Sequence, residues 1–162
     1  MEGKALLGEF DNEMQNTRKA LEAIPADRLD FRPHERSFSL LELAGHIANL
    51  PSWTAMTLAT EEFDLEAPRE REEPETKEDV LAALEKSASD ARVALEAASH
   101  DDLMVPWTLR SGDQEIVTMP RVAVHRSFVM NHLVHHRGQL TVYLRLMEVP
   151  VPGMYGPSAD EE

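Results

Sequence analysis

Four stretches of the chain repeat apolar residues at alternating spacings of three and four, and this repeat constrains the fold more than any other feature. Because an α-helix completes a turn about every 3.6 residues, the repeat places apolar side chains along one face of each helix. Four such helices bury their apolar faces most simply against one another. We therefore predict an all-α single domain over residues 1–162, with the architecture of a four-helix bundle.

The first two predicted helices have clear signals at their ends. The first covers residues 7–24 and ends at a proline, which cannot continue the helical hydrogen bonds. The second begins at Ser39, because Ser39 and Glu42 have the spacing of a capping box. Pro51 falls inside the second apolar pattern, so we expect a kink near Asn49 and a helix that resumes beyond the proline.

The last two predicted helices flank a segment of different character. The third covers residues 76–98 and begins with a capping signature at Thr76. The fourth covers residues 120–147 without a helix breaker, which makes it about 42 Å long. Between them, residues 100–120 are predicted to form a short irregular or hairpin segment that turns around Gly112.

The 30 acidic and 16 basic residues give a formal net charge of −14, and half of this excess lies in one connection. Residues 61–79 hold ten acidic and three basic side chains together with two prolines, so we interpret them as a solvated linker. The alternative for this segment is an acidic docking strip for a basic partner. The acidic balance argues against a nucleic-acid partner, since phosphate binding depends on Lys and Arg.

The sequence has neither a cysteine nor a long apolar run. Without cysteine the chain has no disulfide, no thiolate metal ligand and no catalytic thiol of its own. Any metal ion must therefore be held by His, Asp or Glu, and any thiol in a reaction must come from another molecule. No apolar run approaches the length of a membrane helix, and the N-terminus lacks the pattern of a signal peptide. We expect a cytoplasmic protein that does not bind a membrane.

The fourth predicted helix carries the most informative pattern. His132 and His136 are one helical turn apart, a spacing that lets two imidazoles bind one ion. At about 100° per residue, a mostly polar line runs along the helix through both histidines. The residues on this line are Arg121, His125, Phe128, His132, His136, Gln139 and Tyr143. The line predicts an interior site, in which His125, Gln139 and Tyr143 are candidates to line a pocket or orient a substrate.

A third histidine could complete this site. His46 lies in an apolar stretch of the second helix, where a lone histidine is otherwise an unfavourable core residue. If helices two and four pack side by side, His46 joins His132 and His136 and leaves coordination positions open for water or substrate. Three neutral imidazoles suit zinc, nickel, copper or iron(II) and do not select among them. The alternative is a histidine pair that is exposed to solvent or hydrogen-bonds to neighbouring carboxylates.

Other motifs are excluded, and the remaining notable residues have structural interpretations. Leu133 follows His132, so the glutamate of the zinc-protease His-Glu-x-x-His motif is missing. The absence of any Glu-x-x-His sequence removes a di-iron carboxylate site. We interpret Arg137 as a structural ion-pairing residue, and Trp53 and Trp107 as either pocket walls or core.

Three motifs together point to a known family. They are Gly-His-Ile-Ala-Asn-Leu-Pro-x-Trp around His46, His-x-x-x-His-Arg-Gly-Gln over residues 132–139, and Val-Pro-Gly-Met-Tyr-Gly-Pro-Ser-Ala-Asp over residues 151–160. Over nearly the whole chain this combination resembles the DinB-like (DinB/YfiT) superfamily. The resemblance implies an up-up-down-down four-helix bundle, a homodimer, and a divalent metal ion, commonly nickel or zinc. By position, its ligands would be His46, His132 and His136.

The resemblance also implies a relation to transferases and isomerases that use a low-molecular-weight thiol such as bacillithiol or mycothiol. Our first hypothesis is therefore a metal-dependent enzyme, transferase-like or isomerase-like, that acts on a small-molecule substrate with an external thiol. The alternative is a non-catalytic metal-binding or stress-associated bundle protein. A helical interaction domain without any metal is a third possibility.

Overall fold

The structure of the chain is a computed structural model that describes residues 2–68 and 73–161. Its helices are α1 (Leu7–Glu22), α2 (Leu40–Asn49), α3 (Ser52–Ala59), α4 (Lys77–Ala97), α5 (His100–Met104), α6 (Arg121–Val124) and α7 (His132–Leu146). Its strands are β1 (Glu62–Asp64), β2 (Pro106–Ser111) and β3 (Gln114–Pro120). A 3₁₀ turn (Gly3–Leu6) precedes α1, and a π-helical segment (His125–Asn131) joins α6 to α7.

Local side-chain signals set the helix ends. The backbone N–H of Glu42 donates to the Ser39 hydroxyl, and the N–H of Ser39 donates to the Glu42 carboxylate, so α2 begins with a complete capping box. Thr76 and Asp79 form the same arrangement at the start of α4. Pro51 separates α2 from α3, which confirms the expected kink, because proline has no N–H to extend the hydrogen bonds of α2.

The long helices pack into a bundle. α4 lies against α1, α2 and α3, while α7 lies against α1 and α2. The main core fills the space between them, and its fully buried side chains include Phe10, Leu21, Leu43, Ile47, Leu84, Leu95, Leu133 and Leu140. These residues occupy the apolar faces that the helical repeat predicts. Within residues 2–68 and 73–161, no helix combines the length and the apolar character needed to cross a membrane.

A small sheet departs from the expectation of an all-α chain. β2 and β3 pair antiparallel and form the hairpin that the sequence suggests, with Gly112 at the turn in the left-handed region (φ 54°). β1 adds a third strand, parallel to β2. The fold is therefore mostly helical with a three-stranded sheet, and the strictly all-α expectation is not confirmed.

The segment interpreted as a solvated linker, residues 61–79, contains strand β1, although most of its described residues are exposed. Phe63 in this strand packs against Trp53, with 5.3 Å between the ring centroids. Further along, Pro74 lies against the bundle, since a Cβ added to Gly45 would come within 2.8 Å of it. Part of the predicted linker, residues 69–72, lies outside the described residues. The described residues of this segment contact the rest of the protein on both sides of that gap, through Phe63 and through Pro74.

The helix that ends the bundle is irregular in its middle. The sequence predicts one α-helix over residues 120–147, and residues 121–146 are helical, but seven of them form the π segment His125–Asn131. A π-helix bonds residue i to residue i+5 and therefore turns through a smaller angle per residue than an α-helix. Residues before the segment are consequently rotated away from the line expected through His132.

Candidate metal centre

α2 and α7 bring together the three histidines that the sequence singles out. His46 lies on α2, and His132 and His136 lie one turn apart at the start of α7. One ring nitrogen of each lies within 4.8 Å of the other two. The distance from His132 Nε2 is 3.4 Å to His46 Nε2 and 2.8 Å to His136 Nε2. The three half-buried rings thus point their Nε2 atoms at a common point.

These separations fit a single ion. With metal–nitrogen bonds of about 2.0–2.1 Å, two nitrogens in tetrahedral coordination lie about 3.3 Å apart. The 3.4 Å separation between His46 and His132 matches this value, and the 2.8 Å separation between His132 and His136 needs only a small outward movement. The cluster could therefore hold a metal ion.

Hydrogen bonds on the outer side of the rings favour the metal-binding tautomer. His136 Nδ1 lies 2.7 Å from Gln139 Oε1, and because an amide oxygen only accepts, this nitrogen carries the proton. His132 donates to the backbone carbonyl of Phe128, and since its Nε2 faces the cluster, the donor is Nδ1. Both Nε2 atoms are left with a lone pair for an ion.

Gln139 is itself held in place by a further histidine. Its side-chain nitrogen lies 3.2 Å from His135 Nε2 and donates to it, which leaves Oε1 directed at His136. The sequence marks Gln139 as a candidate to orient substrate, whereas its observed contact is with a candidate ligand. Its spacing of three residues from His136 is the sequence signal for this contact, because such residues are neighbours on a helix.

The local environment favours the neutral form of two of the clustered rings. Burial lowers the pKa of His132 and of His136 below the usual value of 6.5, because a charged imidazolium loses solvation there. The hydrogen bonds to Phe128 and Gln139 act in the opposite direction and raise the pKa of each ring. Because burial is the larger effect for both rings, they are neutral at pH 7 and available as ligands.

Two recesses adjoin the cluster and differ in character. One has a volume of about 190 Å³, and its walls are formed by His46, Leu50, Trp53, Leu109, Phe128 and His132. The other is a cleft of about 430 Å³ beside His136, formed also by Arg36, Ser37, Phe38, Gln139, Val142 and Tyr143. The loop before α2 and strand β2 contribute to these walls, and no local sequence pattern marks those contributions.

The other sequence candidates have different surroundings. Tyr143 lines the cleft, and its hydroxyl donates to the carbonyl of Phe38. His125 is buried and lines neither recess; its Nδ1 lies 3.0 Å from the Thr54 hydroxyl. The structure places His125 beside Thr54 and outside both recesses, since the π segment rotates it off the line through His132. Burial lowers the pKa of His125 to about 4.

Arg137 lies next to His136 in the sequence, but its side chain is buried in an ion pair between α7 and α1. Its guanidinium, 2 % exposed, is 2.5 Å from the Glu13 carboxylate and also donates to the Thr17 hydroxyl. Tyr155 in the C-terminal tail bonds to both members of this pair. The interpretation of Arg137 as a structural ion-pairing residue is confirmed, and the pair joins α7 to α1 and to the tail.

The fold and this cluster define the class of protein: a helical bundle whose three convergent histidines could hold a metal ion. A sequence model of the DinB family matches residues 1–162. The chain therefore belongs to the DinB family, as the sequence motifs indicated.

Relatives with known sequence or structure agree with this assignment. The uncharacterized protein YrdA of Bacillus subtilis (strain 168) is 28% identical over 160 residues, which cover 96% of this chain and 89% of that protein. The crystal structure of a DinB-like protein from Bacillus cereus ATCC 10987 is similar with a TM-score of 0.72 and 22% identity, covering 94% of this chain and 97% of that one. A DinB-like protein of Bacillus subtilis, YjoA, gives a TM-score of 0.68 at 17% identity, covering 98% and 99% of the two chains.

Proposed function

We propose that this protein binds one divalent metal ion, nickel or zinc, through the Nε2 atoms of His46, His132 and His136. The observation that carries the proposal is the convergence of these three atoms, with Nδ1 of two rings occupied by hydrogen bonds on the outer side. Three protein ligands leave coordination positions for another molecule, which is the arrangement of catalytic rather than structural sites.

We propose further that the bound ion serves a transfer reaction between a small-molecule substrate and an external thiol. A divalent ion at this site would lower the pKa of a thiol or water and act as a Lewis acid. The chain has no cysteine, so the thiol is supplied by a second molecule. Two recesses at one cluster support this proposal, because two molecules can approach the same centre separately.

The chain's own residues have separate roles in this proposal. Gln139 holds His136 in its ligand tautomer, and the carbonyl of Phe128 does the same for His132. Arg36 gives the larger cleft a positive charge, which favours an anionic second reactant. The aromatic walls of the smaller recess exclude water from one side of the cluster.

Metal content of the purified protein tests the binding site. Elemental analysis is expected to give one nickel or zinc per chain for the wild type, and much less for His46→Ala and His132→Ala. His100→Ala is the matched control, because His100 is exposed and lies on α5 outside the cluster. Unchanged metal content in both cluster variants would disprove the three-histidine site.

A second assay separates an enzyme from a metal-binding protein without catalysis. The protein is mixed under anaerobic conditions with a low-molecular-weight thiol and a small electrophile, with and without a chelator. We expect conjugation that depends on the protein and disappears with the chelator. Full metal loading without conjugation across a panel of thiols and electrophiles would favour the non-catalytic alternative.

A further inference from the structure

The smaller recess has unusual walls for a space beside a candidate metal centre. His46 and His132 form one side of it, and the remaining walls come from Leu50, Trp53, Leu109 and Phe128. Four of these six side chains are apolar or aromatic, and the other two are the imidazoles of the candidate ligands, so no carboxylate, ammonium or guanidinium group lines the recess. A charged or strongly polar group that entered would lose its solvation without gaining a partner from the four apolar and aromatic walls.

Aromatic packing outside the recess supports its walls. Trp53 packs against Phe63, Trp107 and Phe128, with ring centroids 5.3, 6.4 and 6.4 Å apart. Trp107 is fully buried and donates its indole N–H to the Thr60 hydroxyl. A wall fixed by this aromatic packing does not collapse into the space, so the recess keeps its shape when empty.

The volume of the recess limits the size of the group that it can bind. An engineered apolar protein cavity of about 150 Å³ binds benzene, so about 190 Å³ accommodates one six-membered ring with a short substituent. A fused three-ring system is too large. Because two candidate ligands form one wall, a ring in this space lies beside the metal position.

We infer that the recess is a specificity pocket for a compact, uncharged apolar group of about one ring, attached directly to the group that meets the metal. This inference rests on the proposed function and adds the substrate class to it. The polar cleft with Arg36 then receives the second, more polar reactant. The substrate class is therefore a small aromatic or cyclic aliphatic molecule rather than a sugar, a nucleotide or an amino-acid zwitterion.

Two simple metal-binding probes test the pocket. Benzohydroxamate and acetohydroxamate carry the same bidentate group and differ only in a phenyl ring or a methyl group beside it. Titration calorimetry on the metal-loaded protein is expected to show roughly ten- to fiftyfold tighter binding of benzohydroxamate, because the ring is removed from water. Equal affinities with a fully loaded protein would overturn the inference and leave the proposed function intact.

Variants show whether the ring occupies this recess. Leu109→Trp fills the space from β2 and is expected to remove the preference for benzohydroxamate over acetohydroxamate. Ile116→Trp is the matched control, because Ile116 is exposed on the neighbouring strand β3. Phe128→Leu keeps an apolar wall but removes its ring, and it should weaken the binding of benzohydroxamate severalfold. This variant tests the inference if Leu109→Trp does not fold. Full retention of the preference in the folded variants contradicts the inference.

A metal-free measurement separates failure of the pocket from failure of the proposed function. If the wild type binds no metal, the proposed function fails, and the pocket is tested with toluene on chelator-treated protein by saturation-transfer NMR. Transfer to toluene that disappears in Leu109→Trp and persists in Ile116→Trp supports the pocket. No transfer in the wild type overturns it.

Discussion

Replacing Gln139 with leucine should weaken metal binding without disturbing the fold. Leucine has a similar size and a high helix propensity, but it has neither the Oε1 acceptor that faces His136 nor the amide nitrogen that contacts His135. The His136 ring is then free to adopt the other tautomer, with its proton on Nε2, which cannot bind an ion. The ring also loses the hydrogen bond that raises its pKa, so Nε2 becomes a weaker base.

The size of this effect follows from the exposure of Gln139. Loss of an outer-shell partner of a metal ligand costs about 10- to 100-fold in metal affinity. Gln139 is exposed, so a water molecule can replace part of the lost hydrogen bond, and the lower end of this range applies. We therefore expect the Kd for zinc to rise about tenfold, which corresponds to about 1.4 kcal/mol.

Competition with a chromophoric chelator measures this change in Kd. Gln139→Glu keeps an acceptor at the same position and should bind zinc at least as tightly as the wild type. Gln15→Leu is the matched control, because Gln15 is an exposed glutamine on α1 away from the cluster. A Kd for Gln139→Leu within twofold of the wild type, or an equal loss in Gln139→Glu, would refute the proposed action of the amide oxygen.

Three further predictions concern stability. Glu13→Ala leaves the buried charge of Arg137 without its carboxylate partner and should lower the free energy of unfolding by about 3–5 kcal/mol. Urea denaturation measures this change, and a loss below about 1 kcal/mol would contradict a stabilising role for the ion pair. The pKa of His125 falls from 6.5 to about 4 on folding. Between pH 6.5 and about 4, the unfolded chain therefore binds a proton at His125 that the folded chain does not bind. The free energy of unfolding should consequently drop by about 3 kcal/mol as the pH falls through this window. His125→Gln should flatten this part of the pH profile, and an unchanged profile would show that another group is responsible. Adding zinc at about 100 times its Kd should stabilise the wild type by about 2.7 kcal/mol in a thermal melt, an effect that a chelator reverses and that His132→Ala lacks.

Local patterns predicted the parts of the structure that depend on near neighbours. The spacing of His132 and His136 on one helix, the capping residue Ser39 and the position of Pro51 are all properties of a few consecutive residues, and the structure contains each as expected. His46 could be singled out because a histidine in an apolar helical stretch needs a partner. The metal, the external thiol and the homodimer stay predictions.

The parts that were missed depend on distant or subtle interactions. Strand β1 exists because its backbone pairs with β2, far along the chain, and its three residues look like the rest of an acidic segment. The position of His125 follows from one surplus residue in the π segment, which no periodicity reveals when the apolar pattern continues through it. The walls formed by Leu50 and Leu109 come from separate elements that meet only in the folded chain.

The π segment also determines how the chain would tolerate a deletion. Removing one residue from His125–Asn131 would let this part return to a regular α-helix with all of its backbone hydrogen bonds satisfied. α6 and the attached hairpin would then turn by about 100° and move by about 1.5 Å relative to α7. His132 and His136 would keep their mutual spacing, whereas Leu109 would leave the recess beside them. The surplus residue thus acts as a spacer that aligns the hairpin with the histidine cluster.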